Sequence, residues 1–288
     1  MTANGKGAKA RLRHGVSEWL MPPAVKRALV PGSRAGKPAL TPDEVALLQS
    51  NARLHGVYTG RRCFVLGNGP SLATAGIDAL GGELTIVMNA FNQHPAMKRW
   101  QPTFHCMAEP AIAYEKPYMA RLLETCLDGY TTTTHVFPIE TRSIVEGKGV
   151  PADRLVFVVQ DGRTAAEFDR IDLTGPVPSA HDTSILAVSL AIALGCSPIV
   201  LLGIDYNWLS HRAVNTHFYD DDSVPWPAED LGESRYLEQM RSAIRCWEAH
   251  DALRRIAANT GQVIVNATEG SFLDVYPTTT LEQVLAAR

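Results

Sequence analysis

Gly67-Asn68-Gly69-Pro70-Ser71 is the stretch of this sequence best suited to hold a ligand. Its glycines tolerate positive φ and let a ligand approach the backbone closely. Ser71 can cap a following helix, and Pro70 suits a first helical turn. Free backbone N–H groups and a helix dipole would then converge on one point, which is chemistry for an anion such as a phosphate. The Asn68 amide can add a contact to a base, a ribose or a phosphate. The pattern is neither Gly-x-Gly-x-x-Gly nor the Walker loop, because no third glycine and no Gly-Lys-Ser/Thr follow.

Three further polar groups fall just after apolar runs. Asn89 follows Leu84 to Met88, Glu109 follows Pro102 to Met107, and Asp205 follows Pro198 to Leu202 through Gly203-Ile204. In open α/β sheets ligands bind beyond the carboxyl ends of the strands, so neighbouring strands would gather these groups beside the Asn68 turn. Asp205 there can bind a ribose, order a nearby loop or help hold Mg²⁺. The stretch from Trp208 to Pro227 is rich in His, Asp, Trp and Tyr, including His211, His217 and Tyr219, and long loops of this kind are usually functional. Asp220-Asp221-Asp222 cannot all face one ion from an extended segment. It reads as a solvated acidic turn, and no metal site is assigned.

The elements that must position these groups alternate. Short apolar runs at Cys63–Leu66, Leu84–Met88, 102–107, 131–138, 154–159, 198–202 and 263–265 read as strands. Thr41-Pro42-Asp43-Glu44 carries a capping box with proline at the first turn. Thr183 and Ser184 open a helix that is apolar nearly all round, Ile185 to Leu194, closed by Gly195, and such a helix should be fully buried. Tyr236 to Asn259 is amphipathic. Alternation of this kind predicts an α/β fold: a Rossmann-like, mainly parallel sheet with helices on both faces and a small lid-like loop insertion. The expected organisation is a basic N-terminal arm at 1–40 and a single domain at 41–288, with loop insertions at 161–182 and 207–232.

At 288 residues and a net charge of −3, the chain gives no support to a general nucleic-acid role. The charge is uneven. Residues 1–40 hold eight Lys/Arg against Glu18 alone, a formal +7, which leaves −10 for the rest. Such an arm suits peripheral contact with an anionic membrane surface or a loosely packed tail. No apolar h-region follows the basic start and no run of eighteen apolar residues exists, so neither a secretory leader nor a membrane span is expected. Five scattered cysteines fit reduced core thiols in a cytoplasmic protein rather than a disulfide framework or a zinc site.

Taken together, the stretches at 64–72, 89–93, 183–207, 215–219 and 265–276 resemble a family. Gly67-Asn68-Gly69-Pro70-Ser71-Leu72 resembles the nucleotide-site turn of bacterial sialyltransferases that use CMP-sialic acid, and Ala191 to Gly195 with Ile199 to Tyr206 resembles their helix–strand pair. The related 6-hydroxymethylpterin diphosphokinase-like group, which includes flagellin-glycosylation (motility) accessory factors, shares a Gly-x-Gly-Pro-Ser-Leu turn and Gly-x-Asp. It also shares the segments found here as His217-Phe218-Tyr219 and Asn266-Ala267-Thr268.

The resemblance implies a glycosyltransferase that moves a sialic-acid-like sugar from a CMP donor to a cell-envelope glycan or protein acceptor, as in lipopolysaccharide or capsule biosynthesis. It implies nucleotide-sugar contacts from Gly67, Asn68, Gly69, Pro70, Ser71, Asn89, Glu109, Thr183, Ser184, Tyr206 and Tyr219. His217, or else His211, would be the catalytic base, with Asp205 beside it. An imidazole of near-neutral pKa suits deprotonation of an acceptor hydroxyl, and Tyr206, Tyr219 or Arg212 would meet the leaving phosphate. The sialyltransferase pattern carries a tyrosine where this chain has Asn207 and an asparagine where it has Glu109. No cofactor is required on this reading, and Mg²⁺ is an option rather than a need. Two alternatives are Mg²⁺-dependent pyrophosphoryl transfer from ATP to a pterin-like alcohol and a non-catalytic nucleotide-sugar-binding accessory role.

Overall fold

The computed structural model describes residues 39–210, 218 and 235–287. The basic arm, with the membrane contact expected of it, therefore lies outside the described residues but for its last two positions. So do His211, Arg212, His217 and Tyr219 of the second insertion.

Eight strands form one sheet in the order β6-β5-β4-β3-β2-β1-β7-β8, with every pairing parallel. They are β1 (Cys63–Leu66), β2 (Leu84–Met88), β3 (Phe104–Cys106), β4 (Thr134–Pro138), β5 (Leu155–Gln160), β6 (Pro176–Val177), β7 (Ile199–Leu202) and β8 (Ile264–Asn266). The order runs outward from β1 in both directions, so the chain reverses its winding between β1 and β7. That reversal is where doubly wound sheets open a ligand crevice.

Burial on both faces explains the unbroken apolar runs of the strands. Alternate residues part to opposite sides. Val65, Ile86, Cys106 and Val136 join one cluster with α4 (Thr183–Ala193) and α5 (Arg235–Asn259). Phe64, Leu66, Val87 and Val200 face the other side, near Cys126 of α2 (Pro117–Gly129). There α1 (Pro42–Ser50), α2 and α3 (Arg142–Glu146) cover the β4–β5 end, and α6 (Leu281–Ala286) covers the other end through Val284. Every residue of α4 is buried, as its all-round apolar sequence predicts. Its cap is Asp182, whose carboxylate accepts from the Ser184 N–H at 2.6 Å. The Thr41–Glu44 capping box at α1 forms as expected.

Two expectations need correction. The crossover from β1 to β2 has no α-helix: short 3₁₀ turns at Pro70–Thr74 and Ile77–Leu80 make it. The segment 161–182 is more than a surface loop. It buries Ile171, Leu173 and Val177 and contributes the edge strand β6. The Asn51 amide stitches it to the sheet, donating to the carbonyls of Phe157 at 2.8 Å and Leu173 at 3.0 Å. All five cysteines are buried and free. No helix among the described residues is long and apolar enough to cross a membrane.

Candidate functional site

A cavity of about 320 Å³ opens beyond the carboxyl ends of β1, β2 and β7. Gly67, Asn68 and Gly69 supply one wall, Met88 and Asn89 a second, and Gly203 to Trp208 a third. Asp182 and Gln239, from the starts of α4 and α5, close it.

The β1 and β7 turns are pressed together, and this contact dictates their glycines. A Cβ on Gly67 would collide with the Gly203 carbonyl, and a Cβ on Gly69 would collide with the Asp205 carboxylate. Asp205 clamps the two turns. Its Oδ1 accepts from the Ser71 backbone N–H at 3.1 Å and its Oδ2 from the Ser71 hydroxyl at 2.9 Å. Burial raises the Asp205 pKa, and the two Ser71 bonds partly offset that shift.

The same contacts correct the expected anion cradle. The Gly67 N–H donates to the Leu202 carbonyl, Gly69 to Gly203, Leu72 to Gly69, and Ser71 to Asp205. Those donors are spent inside the protein. The helix after them is a five-residue 3₁₀ turn, too short for a useful dipole. Pro70 opens that turn, and neither it nor Ser71 lines the cavity.

Asn68 is the residue the fold leaves expectant. It is 7% exposed. Its Nδ2 donates to the Met88 carbonyl at 3.1 Å, which fixes the amide's orientation and makes Oδ1 the free end. That Oδ1 is buried and has no partner among the described residues. A buried acceptor left unpaired costs free energy of about 1–3 kcal/mol.

Asn89, with φ 47°, reaches the cavity from the end of β2, and its Oδ1 accepts from the Thr183 hydroxyl at 3.2 Å. Thr183 thereby stands at the site through Asn89. Ser184 faces the core instead, where its hydroxyl meets Tyr206 Oη at 3.2 Å and His250 Nε2 at 3.0 Å. Tyr206 borders the cavity but is 3% exposed, and its hydroxyl is taken by Ser184 and His250. The expectation that this phenol grips a phosphate is corrected accordingly. Glu109 lies outside the lining. Burial, then the Asp182 charge, raises its pKa.

The described lining therefore holds two carboxylates, Asp182 and Asp205, and no Lys or Arg. Beyond Trp208–Ser210, Phe218 is the one described residue of the His/Asp-rich stretch. Its N–H donates to the Asn68 carbonyl at 2.9 Å, and its ring packs against Phe91 and His94. His217 neighbours it in sequence. Among the described residues no three His, Cys, Asp or Glu converge as a metal site.

Sequence reasoning did not single out the buried histidines behind the cavity, His105, His135 and His250. They sit inside apolar or helical runs where a core histidine and a functional one look alike, and only the fold shows what each ring meets.

No protein-family model matches the chain, and no curated protein matches it. Solved structures that match the chain include the MAf glycosyltransferase from Magnetospirillum magneticum AMB-1, at TM-score 0.48 and 17% identity. That match covers 82% of this chain, which spans only 38% of the length of that protein. The sialyltransferase CstII from Campylobacter jejuni, in complex with the substrate analogue cytidine-5'-monophosphate, matches at TM-score 0.43 and 15% identity over 77% of this chain and 86% of that one. A sialyltransferase CST-II structure with trisaccharide acceptor and CMP matches at TM-score 0.41 and 14% identity, over 76% and 86% of the two chains.

Proposed function

We propose that the chain is a glycosyltransferase whose cavity at the ends of β1, β2 and β7 takes the nucleotide part of a nucleotide-activated sugar. The observation that carries this reading is the Asn68 Oδ1, a buried acceptor without a partner at the switch point of a parallel sheet. The motif resemblance of the Gly67–Leu72 and Gly203–Tyr206 turns favours cytidine monophosphate as the nucleotide and a sialic-acid-like sugar as the donor group. Asn68 and Asn89 serve as nucleotide-sugar contacts. Asp205 holds the two turns together, so its part in catalysis is to position them.

In this mechanism an acceptor hydroxyl attacks the anomeric carbon while the bond from that carbon to the phosphate oxygen breaks. The hydroxyl proton passes to an imidazole, and CMP leaves. We assign the base to His217, because its neighbour Phe218 is bonded to the Asn68 carbonyl. The leaving phosphate needs positive charge that the described lining does not supply, and Arg212 with Tyr219 is assigned to it.

One observation favours a second reading. Asp182 and Asp205 beside the cavity suit Mg²⁺-assisted pyrophosphoryl transfer from ATP. A thermal-shift panel of CMP, CDP, UDP, GDP and ATP, each with and without Mg²⁺, separates the two. A ligand at about 100 times its dissociation constant stabilises by roughly 2.7 kcal/mol. Stabilisation by CMP without metal supports sugar transfer. Stabilisation by ATP only with Mg²⁺ replaces it with the second reading. Loss of CMP-sugar turnover in His217→Ala, with the fold intact, supports the assigned base, whereas full turnover removes it. CMP binding in a protein that turns over no CMP-sugar would instead indicate an accessory role.

A further inference from the structure

Among the described residues only two non-glycine residues take up left-handed backbone, Asn89 at φ 47° and Tyr206 at φ 51°. Both line the cavity. Asn tolerates that region better than other residues with a Cβ, whereas a bulky Tyr is a clear outlier there, so both positions, and Tyr206 above all, are set by the contacts that surround them. Each of the two is tied from behind to a fully buried histidine.

At Asn89 the tie is to its carbonyl. His105 Nε2 lies 2.9 Å from it. A carbonyl only accepts, so Nε2 carries the proton, and the neutral ring offers Nδ1 as an acceptor. The atom facing that Nδ1, at 3.1 Å, is His135 Nδ1, which must then donate. One relay follows: His135 Nδ1–H to His105 Nδ1, and His105 Nε2–H to the Asn89 carbonyl. It leaves His135 Nε2 as an acceptor, and that atom is buried without a partner among the described residues. The Cys126 thiol adds a weak second donor to the same carbonyl at 3.2 Å.

At Tyr206 the tie is to its hydroxyl. Tyr276 donates its hydroxyl proton to the His250 carbonyl at 3.0 Å, so its oxygen accepts from His250 Nδ1–H, also at 3.0 Å. His250 Nε2 is then an acceptor, shared by the hydroxyls of Tyr206 at 3.2 Å and Ser184 at 3.0 Å. The Tyr206 ring is enclosed by Trp208 and Trp247.

We propose that His105 and His250 are positioning residues for the ligand cavity, holding Asn89 and Tyr206 in the left-handed conformations that give its rim its shape. The proposal rests on the cavity being the nucleotide-sugar site. Burial lowers the pKa of His105 to about 4 and of His250 to about 3, which keeps both rings in the neutral forms the relays require.

The test uses NMR on the ligand-free full chain, followed by CMP titration calorimetry. Imidazole ¹⁵N shifts should show a neutral Nε2–H at His105 and neutral Nδ1–H at His135 and His250. The Asn89 Cα shift and HN–Hα coupling should report left-handed backbone in the wild type. His105→Gln, whose side-chain amide can still donate, should keep that signature and hold CMP affinity within about threefold. His105→Phe should lose it and weaken CMP at least about tenfold. Tyr206→Phe keeps the ring and removes only the hydroxyl that meets His250. It tests the His250 tie separately, and position 206 should then leave the left-handed region; if His105→Phe does not fold, His105→Leu is read in its place. A folded His105→Phe that retains left-handed Asn89, or a Tyr206→Phe that retains left-handed backbone at 206, overturns the proposal for that histidine. The NMR arm needs no ligand. Failure of the wild type to bind CMP therefore counts against the functional reading alone, while the backbone signatures still decide the role of the histidines.

Discussion

Replacing Asp205 by alanine should unlock the two turns that build the cavity. The carboxylate accepts two hydrogen bonds from Ser71, at 3.1 Å and 2.9 Å, and sits 6% exposed. Hydrogen bonds to a charged acceptor are each worth about 1.5–3 kcal/mol net. Against this stands the cost of burying the carboxylate, which raises its pKa in spite of those bonds. The net loss should be about 2–3 kcal/mol, or a fall in Tm of roughly 4–12 °C for a domain of this size. Asp205→Asn retains one acceptor and should lose about half as much. Equilibrium urea unfolding followed by circular dichroism measures both.

The pH dependence adds a signed check. A carboxyl group whose folded pKa lies above its unfolded one stabilises most below the unfolded value, and that contribution is lost as pH rises through the folded value. The advantage of wild type over Asp205→Asn should therefore grow as pH falls from the raised folded value toward the unfolded one. If Asp205→Ala leaves the urea midpoint and the m-value unchanged, Asp205 does not clamp the turns and the account of the cavity wall fails.

Three further outcomes are expected. The pKa of His250 falls to about 3 and that of His105 to about 4, so each resists protonation in the fold but protonates near 6.5 when unfolded. Stability should be full above pH 6.5 and fall by about 1.4 kcal/mol per pH unit per histidine on acidification, with a flat acid limb by calorimetry contradicting this. Gly69→Ala places a methyl group against the Asp205 carboxylate and 2.8 Å from the Gly203 carbonyl. It should destabilise by about 1–3 kcal/mol and abolish CMP stabilisation in the thermal-shift assay, and a neutral effect on both would show that the turns have slack. Arg62 donates to the Val284 carbonyl and to Glu83, each at 2.6 Å, tying α6 to the amino-terminal ends of β1 and β2. Arg62→Ala should cost about 1–2 kcal/mol and speed amide exchange in 281–286, and unchanged exchange there would refute the tie.

Much of the fold was legible because its strands are buried on both faces, and Cys63–Leu66, Leu84–Met88 and Ile199–Leu202 therefore appear as plain apolar runs bounded by glycine or asparagine. The all-round apolar Ile185–Leu194 likewise announced a buried helix. What the sequence concealed is local. Pro70–Thr74 carries helix-start residues, yet Ser71 gives its N–H and hydroxyl to Asp205, 134 positions away, and the turn stops as 3₁₀. Edge strand β6 is two residues long, too short for any periodicity. Asn68 and Asn89 were marked by their places at strand ends. The family resemblance implied Ser184 and Tyr206 at the site, but their hydroxyls turn inward to His250, a partner 66 and 44 positions distant. Such pairings between distant residues leave no trace in local pattern.

The central claim is that Asn68 Oδ1 waits for a donor from a bound nucleotide. Titration calorimetry with CMP in metal-free buffer, on wild type and Asn68→Asp, tests it most directly. The aspartate cannot donate to the Met88 carbonyl and presents charge where a neutral acceptor stood. The account predicts metal-free CMP binding to wild type and its weakening by at least about tenfold in Asn68→Asp. Equal affinity in the two proteins, or no CMP binding to folded wild type, would contradict it.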